Sequence, residues 1–188
     1  MNIFAAVKSI RRKETFVWVR RRVDPLTTAL AWKAYDSGFR EANRLTPCRQ
    51  SFHRDEFWQI MLDKDFDKIF LYIDGKPVGL AIMTLVLGKL PWINQEYFEE
   101  KFPDKIVAYV PTIVVSEEFR GDQRSGILME KLYEIYGAWH CDLLAMDHSV
   151  GVNSFLPYLI LRYFKGRVIS RGKLDDQSYV TFSRSDQG

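Results

Sequence analysis

The stretch Val115-Ser116-Glu117-Glu118-Phe119-Arg120-Gly121, continuing through Arg124-Ser125-Gly126-Ile127-Leu128, has the make-up of an anion site. A branched apolar run enters a basic loop with glycines, and the loop opens an amphipathic helix. Such a loop can aim free backbone N–H groups at a phosphate, and the helix start adds partial positive charge. Arg120, Gln123 and Arg124 add side-chain donors. The competing reading is a strand-to-helix turn whose glycines serve geometry alone. A second cluster, Asp147-His148-Ser149, follows another apolar run. Histidine is the side chain that titrates nearest neutral pH, so it suits proton transfer, although a lone histidine after a strand also serves structure. His53 and His140 fall at predicted helix ends and carry no such argument. Cys48, Cys141 and the three histidines have no metal-ligand spacing, so no metal is expected.

The elements that must position these groups can be read from periodicity. Residues 15–23 alternate aromatic or branched residues with polar ones and predict a strand. Asp24 followed by Pro25 is an N-cap and first-turn pair, opening a helix with Leu30, Ala34, Tyr35, Gly38, Phe39 and Ala42 on one face. A short helix is predicted at 54–63, with Phe57, Ile60 and Met61 inward. Asp74-Gly75 joins two strands, 68–75 and 76–88, as a hairpin. Residues 88–104 read as an insertion with a short helix. The run 106–116 predicts a buried central strand, and Pro111 within it predicts a bulge or a missing pair. A helix follows over 125–140, with Leu128, Leu132, Ile135, Tyr136 and Trp139 on one stripe. Then come a strand at 142–150, a helix around 153–164 and two closing strands, GRVISRG and QSYVTFSR. The order β-α-α-β-β-(α)-β-α-β-α-β-β predicts one α/β domain spanning 1–188, a mixed sheet with helices packed on it.

Composition sets the outer bounds. The chain has 188 residues, 47% of them hydrophobic, with 13 Phe and a formal charge of +3. That is enough apolar surface for a sizeable core, and it excludes a disordered chain. So mild a charge names neither a nucleic-acid nor a membrane partner. Arg20-Arg21-Arg22 would alternate faces on a strand and make no one-sided patch for nucleic acid. Residues 1–14 read as an N-terminal extension with Ile3, Phe4, Val7 and Ile10 on one helical face. Two placements are open for it: packing on its own domain, or membrane contact through residues 1–13. The opening has the reverse charge order of a secretory signal, and two cysteines suit reduced thiols in a cytoplasmic protein.

On the loop residues quoted first, the chain resembles the GNAT N-acetyltransferase superfamily. Val115, Glu118, Phe119, Arg120 and Gly121 match the first half of that family's coenzyme A pyrophosphate signature, and Gly126 with Ile127 the second. The departure is an insertion within Asp122-Gln123-Arg124. The element order follows the GNAT pattern over nearly the whole chain. The resemblance implies a strongly curved mixed sheet in which the strands 106–116 and 142–150 diverge, with the pantetheine arm in the gap. It further implies that Ile113, Val114 and Val115 meet the pantetheine, while Arg120, Gly121, Gln123, Arg124, Ser125, Gly126 and Ile127 surround the pyrophosphate. Asn153 resembles the asparagine that opens the family's next helix and contacts the coenzyme. The family's thiolate-protonating tyrosine falls here on Ile160, between Tyr158 and Tyr163.

The function so implied is acyl-CoA-dependent acylation, most simply acetylation, of a primary amine on a small molecule or peptide. Amide formation needs a neutral amine, so a base must take its proton. His148 is the first candidate, with Asp147, Glu117 and Glu118 as competitors. Phe39, Trp58, Trp92, Tyr97 and Phe98 are candidates for the acceptor pocket, or for core. Two alternatives stay open: a non-catalytic GNAT-like binding module, and acylation of an RNA-borne or protein amine. The acceptor and the oligomeric state, a dimer included, are not legible.

Overall fold

A computed structural model describes residues 14–19, 21–45, 51–121, 123–137, 141–147 and 162. Five strands, β1 (Glu14–Val19), β2 (Phe66–Ile73), β3 (Lys76–Thr84), β4 (Val107–Val115) and β5 (Leu143–Ala145), lie side by side in chain order. β1 to β4 are antiparallel neighbours, whereas β4 and β5 run parallel. A parallel pair cannot be joined by a tight turn, and the helix α4 (Arg124–Gly137) supplies the crossover. The hairpin at Asp74-Gly75 has positive φ at both residues, 50° and 77°, which suits the twist of the flanking strands.

The remaining helices are α1 (Pro25–Leu45), α2 (Arg54–Leu62) and α3 (Gln95–Lys101). Asp24 starts α1 by accepting from the Thr27 N–H at 2.9 Å, with Pro25 needing no partner. α1 and α2 cover one face of the sheet, where Tyr35, Phe57, Met61, Phe70, Leu80 and Ile82 are buried together. α4 covers the other, on Ile69, Leu71, Ala81, Met83 and Ala108 through Leu128, Met129 and Leu132. Successive residues of β2 and β3 therefore enter opposite cores, which is why both strands are almost continuously apolar. Each such Leu, Ile or Phe contributes about 1.5–3 kcal/mol by leaving water. Tyr35 ties the first core to the segment before α2, its hydroxyl accepting from the Phe52 N–H at 2.8 Å.

Two strand ends and one helix face differ from the sequence reading. β1 ends at Val19, not at 23, because the chain then leaves the sheet. There Val23 donates to the Met61 carbonyl at 2.9 Å, and the buried Lys68 Nζ bonds the Arg21 carbonyl at 3.2 Å. β3 ends at Thr84, not 88, since β2 offers no further partner. Thr84 Oγ1 turns the chain by bonding the Asp65 carbonyl and accepting from the Val86 N–H. On α1, Leu30 is 40% exposed, and the inward positions are Thr28, Ala31, Ala34, Tyr35, Gly38 and Ala42. Among the described residues no helix is long and apolar enough to cross a membrane. The expected N-terminal helix, the helix around 153–164 apart from the helical Arg162, and the two closing strands lie outside the described residues.

Candidate functional site

β4 and β5 are closed at their base and part above it. Their rungs are Val107 with Leu143, Ala108 with Leu144 and Tyr109 with Ala145. Below these, the Ile106 N–H donates to Asp142 Oδ2 at 2.9 Å and its carbonyl accepts from Asp142 and Leu143. That N–H, with Lys105 nearby, holds the Asp142 carboxyl below its ordinary range. Beyond Tyr109, β4 runs on to Val115 with no β5 partner among the described residues. Its other edge stays bonded to β3. Between Thr84 and Ile82, β3 advances two residues while β4 advances three, from Tyr109 to Thr112. The extra residue falls at Val110–Pro111, so the proline does mark a bulge. The result is a fork whose bent β4 edge has no strand partner beyond Tyr109 among the described residues. Thr112, just past the bulge, is buried and its Oγ1 has no hydrogen-bond partner among the described residues.

The loop beyond β4 is anchored at several points. Ser116 donates to the Val78 carbonyl at 2.8 Å, and the Glu117 N–H donates to Ser37 Oγ at 3.1 Å. A tight turn over 117–119 leads to Gly121 (φ 89°) and Gln123 (φ 59°). A left-handed glutamine is uncommon and costs about 1–2 kcal/mol, held here by the start of α4. The first bond of the α4 ladder is from the Ile127 N–H to the Gln123 carbonyl, at 3.0 Å. The N–H groups of Arg124, Ser125 and Gly126 precede it and have no helical acceptor among the described residues.

The arginines that the sequence offered to a phosphate are engaged within the chain. The Arg120 guanidinium donates to the Gly38 carbonyl and lies 3.4 Å from Glu41, both on α1. Arg124, its side chain only 11% exposed, bonds Glu14 at 3.3 Å and the Phe119 carbonyl at 3.4 Å, and sits 5.5 Å from the Phe119 ring. Both arginines fix the loop to β1 and α1. Donors for an anion at this place are chiefly the backbone N–H groups. Glu117 lies 3.6 Å from Arg40, and Glu118 is exposed on the same turn, away from the fork's base.

Asp147 and Tyr109 meet at the point where the strands part. The Tyr109 hydroxyl, in a residue 2% exposed, donates to Asp147 Oδ1 at 2.6 Å. Burial first, then the Asp147 charge and this bond, push the phenol far above its ordinary pKa, so the hydroxyl keeps its proton. Phe98 stands edge-on to Tyr109 with ring centres 6.1 Å apart, and Tyr97 edge-on to Phe98 at 5.5 Å. Of the candidate aromatic wall, Phe39, Trp58 and Phe98 pack on the first core, while Trp92 and Tyr97 are 45% and 46% exposed. Sequence reasoning named Asp147 only as a competing base and missed Tyr109. Its signal was a polar-tipped ring just before the proline of a strand otherwise branched and apolar. His148, Asn153, Tyr158 and Tyr163 lie outside the described residues. Among the described residues no group of His, Cys, Asp and Glu is arranged to hold a metal. A groove of about 330 Å³ between Phe16, Trp18, Ile69 and Ile135 lies on the α4 face, remote from the fork.

No family model matches the chain, and no curated protein matches it in sequence. Solved structures do. An aminoglycoside acetyltransferase, meta-AAC0020, from an uncultured soil metagenomic sample, superposes with a TM-score of 0.57 at 10% identity, covering 90% of this chain and 97% of its own. Aminoglycoside N-acetyltransferase AAC(6')-Iy, in complex with CoA, gives 0.51 at 14% identity, covering 94% and 99%. A GNAT family acetyltransferase from Staphylococcus aureus gives 0.53 at 10% identity, covering 88% and 99%. At such identities the likeness is one of fold.

Proposed function

We propose that this chain, which has the fold of the GNAT acetyltransferases, is an acyl-coenzyme A-dependent N-acyltransferase, most simply an acetyltransferase. Its acceptor would be a primary amine of a small molecule or peptide. The observation that carries this reading is the fork: a β4 edge bent at Pro111, with no strand partner beyond Tyr109 among the described residues, leads into the N-terminus of α4. The edge of β4 turned away from β3, which along Ile113, Val114 and Val115 has no strand partner among the described residues, suits the amides of a pantetheine arm. The N–H groups of Arg124, Ser125 and Gly126, with Gly121, Gln123 and Ile127 shaping the turn, suit a pyrophosphate. Arg120 would serve by holding the loop or by turning from Glu41 to a phosphate. Asn153 joins this set on the family resemblance alone.

The thioester supplies an activated acyl carbon. The acceptor nitrogen, after giving up one proton, bonds to that carbon as the C–S bond breaks; nitrogen loses a second proton and the departing sulfur gains one, so one proton is released overall. In this reading His148 takes the amine proton and the hydroxyl of Tyr158 or Tyr163 gives a proton to the departing coenzyme A thiolate. A GNAT-like module that binds coenzyme without turnover is the second reading, favoured by the internal engagement of both loop arginines.

Calorimetry with acetyl-CoA, and turnover followed as thiol release with a panel of amines, test both. Binding at micromolar levels is expected, about −8 kcal/mol, weakening as salt rises. Binding without turnover on any amine would favour the module, and absence of any acyl-CoA binding by folded protein would overturn the reading.

A further inference from the structure

The carboxylates near the sheet can be sorted by what faces each. Asp142 meets a backbone N–H and Lys105, Glu117 meets Arg40, Glu41 meets Arg120, and Glu14 meets Arg124. Asp67 accepts from the Trp18 indole at 2.9 Å. Asp147 differs: it is exposed, it stands at the fork's base, and among the described residues its bond comes from a neutral hydroxyl. A hydroxyl orients a carboxylate without cancelling its charge. Oδ1 is fixed by Tyr109, which leaves Oδ2 for a cation.

We propose that Asp147 receives the ammonium of the acceptor, that Tyr109 is its positioning residue, and that the acceptor is a small primary monoamine with an apolar body lying toward the Phe98 and Tyr97 rings. The proposal rests on the acyltransferase reading and names the acceptor side of the same site. Place supports it, since the acceptor nitrogen must reach the acyl carbon within the fork, and Asp147 lies two residues beyond the last β4–β5 rung. The neighbouring surface supports the class. Tyr109 touches Asp147 with its hydroxyl and Phe98 with its ring, so the carboxylate and the aromatic pair are joined by one side chain. Lys101 bonds the Tyr97 hydroxyl at 2.8 Å, and its ammonium lies 5.2 Å from that ring, which steadies the ring beside Phe98. Lys101 and the glutamates of α3 are alike exposed and screened, so none is a fixed partner for the second charge of a polyamine. Tyr109 retains its proton, so it orients the carboxylate and does not compete as the acid.

The test uses the full chain and two probes, 2-phenylethylamine and the polycationic kanamycin, each titrated calorimetrically and assayed with acetyl-CoA. Asp147→Asn is expected to weaken 2-phenylethylamine, in Kd and in KM, by about tenfold or more while acetyl-CoA affinity stays native. Tyr109→Phe should do the same to a lesser degree, and Asp147→Glu should restore part of the loss, which a purely structural role would not produce. Native amine affinity in Asp147→Asn with acetyl-CoA still bound would overturn this proposal and leave the acyltransferase reading standing. No acetyl-CoA binding by the native chain would overturn that reading instead, and Asp147-dependent amine binding would then still report the cation site. Tighter binding or faster turnover of kanamycin would overturn the monoamine class.

Discussion

Gly38 of α1 lies so close to Val114 of β4 that a Cβ there would come within 2.2 Å of Val114 Cγ2 and 2.9 Å of the Val115 carbonyl oxygen. The first contact could be relieved by a rotamer; the second is backbone and could not. The same glycine's carbonyl receives the Arg120 guanidinium, so one position sets both the helix-to-strand distance and the loop beyond the strand. Gly38→Ala is therefore expected to lower stability by about 1–3 kcal/mol through overpacking and to weaken acyl-CoA binding as well. Gly75→Ala provides the contrast. It strains a hairpin at φ 77° with open space around it, and should cost stability without touching coenzyme affinity. Melting curves and acetyl-CoA titrations of both variants separate the two; equal native affinity in both would show that this packing does not position the loop.

The two loop arginines should part company when each is truncated. Arg124 is largely buried and holds Glu14, the Phe119 carbonyl and the Phe119 ring together, so Arg124→Ala should lower stability by about 1–3 kcal/mol. Arg120 pairs at the surface with Glu41 through one guanidinium nitrogen, a contact of little stability value, and can exchange Glu41 for a phosphate while the other nitrogen keeps the Gly38 carbonyl. Arg120→Ala is accordingly expected to raise the KM for acyl-CoA about tenfold, about 1.4 kcal/mol, with a small change in melting temperature. Unchanged coenzyme kinetics in both variants would put the phosphate on the backbone N–H groups alone.

Lys68 gives the fold a distinct alkaline signature. Its side chain is fully buried, with Nζ bonded to the carbonyls of Asp63 and Arg21. Burial depresses its pKa to about 8, outweighing the pull of Asp63, Asp67 and Asp65. The folded state thus holds this proton less tightly than the unfolded chain, whose lysines titrate near 10.4. Between those values the unfolded state binds more protons, so this group's contribution rises with pH from about 8 to 10.4. Below pH 8 the penalty is fully present, on the order of 3 kcal/mol. Urea melts at pH 7, 8.5 and 10 should show that rise relative to Lys68→Met, which has no ammonium to titrate. Parallel pH profiles for the two proteins would refute the assignment.

Local chemistry made much of this fold legible. Asp24-Pro25, Asp74-Gly75 and Pro111 each allow few backbone conformations, and the cap, the hairpin and the bulge stand where those residues predict. Strand ends were less legible, because hydropathy continues past Thr84 after the partner strand has stopped. The site divides in the same way. The fork and the loop follow from a strand–loop–helix pattern, whereas the bond between Tyr109 and Asp147 joins residues 38 positions apart and depends on the β4–β5 register. The partners of Arg120 and Arg124 are more distant still, 82 positions to Gly38 and 110 to Glu14. Nothing in a basic loop distinguishes an arginine reserved for a phosphate from one spent on its own fold.

His148 follows Asp147 directly in the chain, and that adjacency makes the last prediction. If Asp147 holds the ammonium, the next residue in sequence is the candidate to take its proton, and binding and proton transfer then fall to consecutive residues. A general base of this kind is worth about 10²–10⁴ in rate. His148→Ala should lower kcat/KM by that order while amine and acyl-CoA affinities measured calorimetrically stay native, the opposite of the affinity loss expected for Asp147→Asn. Tyr158→Phe combined with Tyr163→Phe should slow turnover without unfolding the protein, since each change removes one hydroxyl, and the loss should be smallest for an acyl donor whose leaving thiol is most acidic. Steady-state kinetics on the two variants, with affinities measured beside them, decide the matter. Native kcat/KM in both would mean that catalysis here is positioning alone, with bulk water taking the proton, and would remove His148, Tyr158 and Tyr163 from the chemistry while leaving the fork and its loop in place.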